Sequence, residues 1–191
     1  MTAIRFPVIV GPNVLMCNLH RGCIECRPEF GVLRLGVDEG FWGMHHGVRS
    51  LLRFHKAGRL VCRGSANVSA VFRINVAGRV ELGDNFRSNT GLLLSCEKEM
   101  AFGRDVLLGW NVTVIDGDGH KVLAGGVKVN DAKSIRIGNH CWIAANTTIL
   151  KGVRLMDNTV VPASCCITKP CDTPNCIFAN KVLRTNVNWD Y

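Results

Sequence analysis

Apolar residues in this chain recur every six positions, not every two and not every three or four. Ile137, Ile143, Ile149, Leu155, Val161 and Ile167 hold that spacing without a break, and Phe102, Leu108 and Val114 hold it upstream. Four residues after the later positions stand Cys141, Thr147, Val153, Thr159 and Cys165, all small or β-branched, until Cys171 begins a Pro-rich tail. A period of six suits neither an α-helix nor a long strand. It predicts a triangular coil of three short flat sides, each turning one bulky residue inward and keeping a small one at the corner.

A longer period contains this one. The pattern apolar-x-apolar, with Gly often following, occurs at Leu60-Val-Cys62, Val80-Glu-Leu82-Gly83, Met100-Ala-Phe102-Gly103, Ile135-Arg-Ile137-Gly138 and Val153-Arg-Leu155. Successive starts lie 20, 20, 35 and 18 residues apart. The long interval contains about 15 extra residues, His120 to Ser134 (HKVLAGGVKVNDAKS), which must bulge out as a loop between coils that keep phase on either side. An earlier copy begins at Leu33-Arg-Leu35-Gly36. About six coils stacked through parallel strands at ~4.8 Å make a prism ~30 Å tall. A β-sandwich would instead alternate at period two, with turn signals every ~8–12 residues. The expected organisation is an N-terminal segment over 1–57 that contains irregular first coils, a β-helix over 58–178 with its loop at 120–134, and a tail over 179–191.

Composition agrees with short strands and many corners: 20 glycines, 7% aromatics and an apolar fraction of 47%. No apolar run approaches the ~18 residues of a membrane span. The N-terminal stretch MTAIRFPVIVGPNVLM lacks the features of a signal peptide. Ten cysteines then read as reduced thiols of a cytoplasmic protein, most standing where a small apolar residue would serve. Cys17, His20, Cys23 and Cys26 have zinc-like spacing, but no second CxxC pair follows, so packed thiols and no metal are expected. The formal charge of +8 implies an anionic partner. A phosphorylated cofactor or the periphery of a membrane would qualify. The basic residues are dispersed and lack a stacking platform, which argues against nucleic acid.

Three segments resemble the hexapeptide-repeat acyltransferase superfamily, and within it the sugar O-acetyltransferases of the maltose, galactoside, capsule and O-antigen types. Phe102-GRDVLLGWNVTVIDGDGH-His120 resembles the family run that ends in Asp-x-Asp-x-His. Ile135-RIGNHCWIAANTTILKGV-Val153 resembles its Trp-Ile-Gly-(Gly/Ala)-Asn stretch. Val160-VPASCCITKPCDTPNCIFANKVLR-Arg184 resembles the terminal coil, although Ala179-Asn180-Lys181 is two residues shorter than the usual Gly-Asn-Pro-Ala-Lys. The similarity covers residues 80 to 184. It implies an all-β, left-handed parallel β-helix, a homotrimer with a site in each groove between subunits, and acetyl transfer from acetyl-CoA to a sugar or polysaccharide hydroxyl.

On this resemblance His120 is the general base. A neutral imidazole with a pKa near ~6.5 can take the hydroxyl proton while the thioester, already activated, is attacked directly. Asp116 or Asp118 would orient the imidazole, or serve only as a turn residue. The oxyanion donor would be the backbone N–H of Ala145. Asn89 matches a family Asn at the acceptor or oxyanion region, and equally suits a left-handed corner. Trp142 is one residue out of the inward phase and should face outward against the pantetheine arm or a neighbouring subunit. Beside it Ala144, which stands where Gly is common, would belong to the same cofactor-binding surface. Lys151, Lys169, Lys181 and Arg184 would meet the CoA phosphates. N-acetylation of an amino sugar is the main alternative, and a non-catalytic assembly subunit is another. A γ-class carbonic anhydrase would need a third histidine after His120 and His140. A serine acetyltransferase would need a long helical N-terminal domain.

Overall fold

The computed structural model describes residues 7–26, 31–37 and 48–190. Among them no helix is long and apolar enough to cross a membrane. The ordered elements are short strands that wind in repeating triplets, and each triplet forms one coil of a parallel β-helix.

Face one is a ladder of eight parallel strands: Val8–Val10, Leu33–Leu35, Ala66–Val68, Phe86–Ser88, Leu107–Leu108, Trp142–Ile143, Thr159–Val161 and Cys176–Phe178. Face two has seven, from Val14–Cys17 through Ser50–Phe54, Arg73–Val76, Leu93–Cys96, Thr113–Ile115 and Thr148–Leu150 to Cys166–Ile167. Face three has six: Ile24–Cys26, Arg59–Cys62, Arg79–Leu82, Glu99–Phe102, Ile135–Ile137 and Arg154–Leu155. The coils, counted from the N-terminus, begin at Val8, so the described part of the N-terminal segment already belongs to the prism and adds coils to the six expected from residue 58 onward.

The six-residue period becomes the core. Ile137, Ile143, Ile149, Leu155, Val161 and Ile167 are all buried, and between them Cys141, Thr147, Val153 and Thr159 fill the corners. Burying one such Ile or Leu stabilises by about 1.5–3 kcal/mol, and the stack repeats this side after side. Many of the corners are turned by a left-handed residue. Along the edge between faces three and one these are Asn85, Asp105, His140, Asn158 and Asn175, with φ from 52° to 57°. Asn and Asp tolerate that conformation because their short polar side chains bond locally; here Asn85 donates to Asp105, and Asn158 to Asn175.

Outward positions differ by face. Face three has charges, paired as Arg63 and Arg79 with Glu81 and as Arg136 with Glu99. Face two in coils four to seven presents Leu93, Ser95, Thr113, Ile115, Thr148, Leu150 and Cys166, none of them charged.

Coil five is interrupted between faces two and three. The chain leaves after Asp116 and returns at Lys133, whose N–H donates to the Asp116 carbonyl at 2.9 Å. Within the excursion Leu123–Ala124 pairs antiparallel with Val127–Lys128 around Gly125 and Gly126, at φ 57° and 81°, as a two-residue hairpin turn requires. At the top of the prism Val182–Thr185 runs back antiparallel on Cys176–Phe178. The Asn180 side chain bonds the Cys166 carbonyl and the N–H of Thr168, acting as one more rung on face two.

Candidate active site

The residues singled out in the sequence lie mainly along the two long edges of face two. On the edge between faces two and three are Asp116, Asp118 and His120 of coil five, Lys151 of coil six and Lys169 of coil seven. On the edge between faces one and two are Asn89 of coil four, Ala144 and Ala145 of coil six and Lys181 of coil eight. Each side is three or four residues wide at ~3.3 Å per residue, so the edges stand on the order of 10–15 Å apart. One chain therefore does not bring His120 to Asn89 or Ala145.

The loop at His120 is braced by side chains that the sequence gave no reason to single out. Asn130 donates to the His120 carbonyl at 2.7 Å and to Asp118 Oδ2 at 2.8 Å, while its own Oδ1 accepts the Val122 N–H. Glu97 accepts the Gly119 N–H at 2.9 Å. The His120 imidazole is exposed, and among the described residues nothing bonds its ring nitrogens.

Neither aspartate touches that ring. Asp116 lies in the inward phase and is fully buried, accepting the N–H groups of Glu97, Lys98 and Glu99 at 2.6, 2.9 and 2.8 Å. It ties the interrupted coil to the one below. Asp118, two residues on, points outward and takes the Lys151 ammonium at 2.5 Å. That bond, followed by the one from Asn130, holds the Asp118 carboxyl below its ordinary range. Lys151 is thus placed against the loop carboxylate.

At the opposite edge the backbone ladder is selective. The Ala144 N–H donates to the Val161 carbonyl at 2.9 Å, and the Gly109 N–H to the Ile143 carbonyl at 2.8 Å. Among the described residues the Ala145 N–H meets no acceptor. Gly109, one coil below, clears the space before it, because a Cβ there would come within 2.7 Å of the Ala145 nitrogen. Asn89 donates its own N–H to the Leu108 carbonyl at 2.8 Å. Trp110, 46% exposed, stands at this corner in coil five.

Trp142 faces outward from face one and is 37% exposed. Trp189, from the descending tail, lies 6.0 Å from it at an interplanar angle of 41°. Lys169 donates its backbone N–H to Asn180. Lys181 and Arg184 are exposed at the top of the prism, Arg184 on the strand that pairs with face one.

Of the cysteines, Cys96 donates its thiol to Asp116 Oδ2 at 3.5 Å. Burial above all pushes the thiols of Cys62 and Cys141 up to about 12, which keeps them protonated. Among the described residues no group of three or more His, Cys, Asp or Glu converges as a metal site. Near the N-terminal end Cys23 is buried, Cys26 donates to the Pro7 carbonyl, and His20 packs edge-on against Phe54.

Comparison with known proteins agrees with the resemblance carried by the motifs. Residues 134–169 match the family described as bacterial transferase hexapeptide (six repeats). Galactoside O-acetyltransferase of Escherichia coli is 33% identical over 107 residues, 55% of this chain and 52% of that protein. Polysialic acid O-acetyltransferase of Neisseria meningitidis is 32% identical over 66 residues, 34% of this chain and 31% of that one. The match thus spans about half the length of the first of these curated relatives and about a third of the second. Among solved structures, the polysialic acid-specific acetyltransferase NeuO superposes with a TM-score of 0.59 at 18% identity, covering 96% of this chain and 82% of its own. The polysialic acid O-acetyltransferase OatWY gives 0.56 at 19%, covering 96% and 87%. The fold is the left-handed β-helix of those proteins.

Proposed function

We propose that this chain is an acetyl-CoA-dependent O-acetyltransferase that acts on a hydroxyl of a sugar or polysaccharide precursor, with His120 as general base in a homotrimer. The observation that carries the reading is the agreement in height between the two edges of face two. His120 leaves coil five on one edge, and on the other Asn89 and Ala145 lie one coil below and one coil above that level. A three-fold assembly with face two toward the axis sets the His120 edge of one chain against the Ala145 edge of the next. The uncharged outer surface of face two in coils four to seven suits such burial, whereas the charged face three suits water.

In that groove the His120 imidazole takes the proton of the acceptor hydroxyl as its oxygen attacks the thioester carbonyl. The tetrahedral oxyanion meets the Ala145 N–H, whose lack of an acceptor leaves it available. Collapse breaks the carbon–sulfur bond, and the imidazolium returns its proton to the departing CoA thiolate. Trp142 holds the pantetheine arm on face one. Lys169, Lys181 and Arg184, near the top, take the phosphates, while Lys151 steadies the His120 loop through Asp118. The names of the relatives favour a sugar acceptor.

Calorimetric titration with acetyl-CoA tests the donor, with about one site per chain expected. His120→Ala should keep that binding and lose ~10²–10⁴ in turnover. Mixing inactive His120→Ala and Asn89→Ala chains should restore part of the activity, because each groove draws on two chains. No binding of acetyl-CoA by the folded protein would overturn the assignment.

A further inference from the structure

The last described residues are tied to the prism by hydrogen bonds. After Asn186, at φ 57°, the tail turns down the edge between faces three and one and is gripped by three successive corners. The Val187 N–H donates to the Asn175 carbonyl at 3.0 Å, and Asn158 Nδ2 donates to the Val187 carbonyl at 2.8 Å. At coil six the bonding is reciprocal. Trp189 Nε1–H donates to the His140 carbonyl at 2.8 Å, and His140 Nε2 lies 3.0 Å from the Trp189 carbonyl. The indole stacks flat on the imidazole, with centroids 4.4 Å apart and an angle of 10°.

His140 is the exception in its column of left-handed corners. Where its neighbours are Asn or Asp that bond from coil to coil, it offers a ring, and that ring is occupied by the tail. The tail in turn delivers the Trp189 indole to the flank of Trp142. Trp142 projects outward in register between Leu107 and Val160, and a second indole against it removes alternative rotamers.

We propose that Trp189, pinned by His140 and Asn158, is a positioning residue that holds Trp142 in the orientation that receives the pantetheine arm of the acetyl donor. This rests on the reading of Trp142 as a donor contact. The residue acts through Trp142 and leaves the reacting atoms alone, so its removal weakens donor binding and spares the chemical step.

Calorimetry with acetyl-CoA, together with steady-state kinetics, decides the matter in four proteins: unsubstituted, Trp189→Ala, Trp142→Ala and the double variant. Trp189→Ala should raise the donor Kd and KM about 3- to 10-fold at unchanged kcat, a range that follows from typical aromatic pair energies. Trp189→Phe, which keeps the stacking, should recover most of that loss. In the Trp142→Ala background the second substitution should add less than about two-fold, since coupled residues are not additive. A lower melting temperature with unchanged donor affinity would make the tail a mere staple and overturn the inference. Fully additive effects would also overturn it, because Trp189 would then act independently of Trp142. If the unsubstituted protein binds no acetyl-CoA, the donor reading itself falls and takes the inference with it, a result distinct from binding that is indifferent to Trp189.

Discussion

Replacing Asp116 by Asn separates a structural aspartate from a catalytic one. The carboxylate occupies an inward position in coil five, and its two oxygens accept three backbone N–H groups from the corner below. Asn keeps the shape but has one oxygen. That oxygen can retain Lys98 and Glu99, whereas the new NH₂ would face the Glu97 N–H where Oδ1 now sits at 2.6 Å, donor against donor. One charge-assisted bond is lost, worth about 1.5–3 kcal/mol, and the other two fall to neutral strength, roughly half. A total of about 3–6 kcal/mol follows from these terms, and for a chain of this length that is roughly 6–24 °C in melting temperature. Thermal unfolding followed by circular dichroism, at one protein concentration because assembly shifts the midpoint, measures it. Asp118→Asn is the control: its carboxylate is exposed, and the expected shift stays within about 0.5 kcal/mol. Turnover of folded Asp116→Asn at 25 °C should remain within a few-fold of the parent. An unchanged melting temperature with lost turnover would refute the reasoning and return Asp116 to the role of orienting His120.

Other consequences are open to simple measurement. Gly109→Ala drives a Cβ into the backbone at Ala144 and Ala145, so it should destabilise by about 1–3 kcal/mol and lower kcat more than it alters acetyl-CoA affinity. In the native protein, iodoacetamide at pH 7.5 should leave buried Cys62 and Cys141 unmodified until unfolding, as peptide mass mapping would show; early labelling of Cys141 would contradict its raised pKa. Lys151→Met should loosen the His120 loop, raising proteolytic nicking within 117–132 and reducing kcat with little change in donor affinity. The tie between Asp118 and Lys151 has a definite pH sign. Because the folded pKa of Asp118 is depressed, the contribution is fully present above its ordinary value of about 3.9 and fades as pH falls through the lower folded value. Amide exchange in the loop should thus be insensitive to this pair between pH 7 and 5, after correction for intrinsic rates.

How much could be read from the chain depended on where the period survives. From Ala66 to Ile115 paired strands lie 20 residues apart, as Ala66 with Phe86, then 35 across the loop and 18 or 17 beyond it, and the inward set can be picked out by counting sixes. Val8 pairs with Leu33, and Leu33 with Ala66, intervals of 25 and 33 residues. Unequal spacing along the sequence hides the repeat there, although the strands stack in the same way. The two aspartates of DGDGH show a different limit. Both have the right chemistry to partner a histidine, and only the phase of the coil, inward at 116 and outward at 118, separates them. The tie of Lys151 to Asp118 spans 33 residues and the docking of Trp189 on His140 spans 49, and neither leaves a local pattern. Asn130 and Gly109 carry no signal in the sequence for the same reason: one is an ordinary loop residue until its loop closes, and the other an ordinary corner glycine until a coil lies above it.

The way the top of the prism is closed bears on how the protein avoids growing. A stack of parallel strands ends in a row of unpaired N–H and C=O groups, which any further strand, including one from another molecule, could extend. Here the antiparallel Val182–Thr185 covers that row on face one, and a single amide, Asn180, covers it on face two. Loss of this short segment would leave every core residue in place and yet present an adhesive end, so the expected failure is fibre formation from folded molecules.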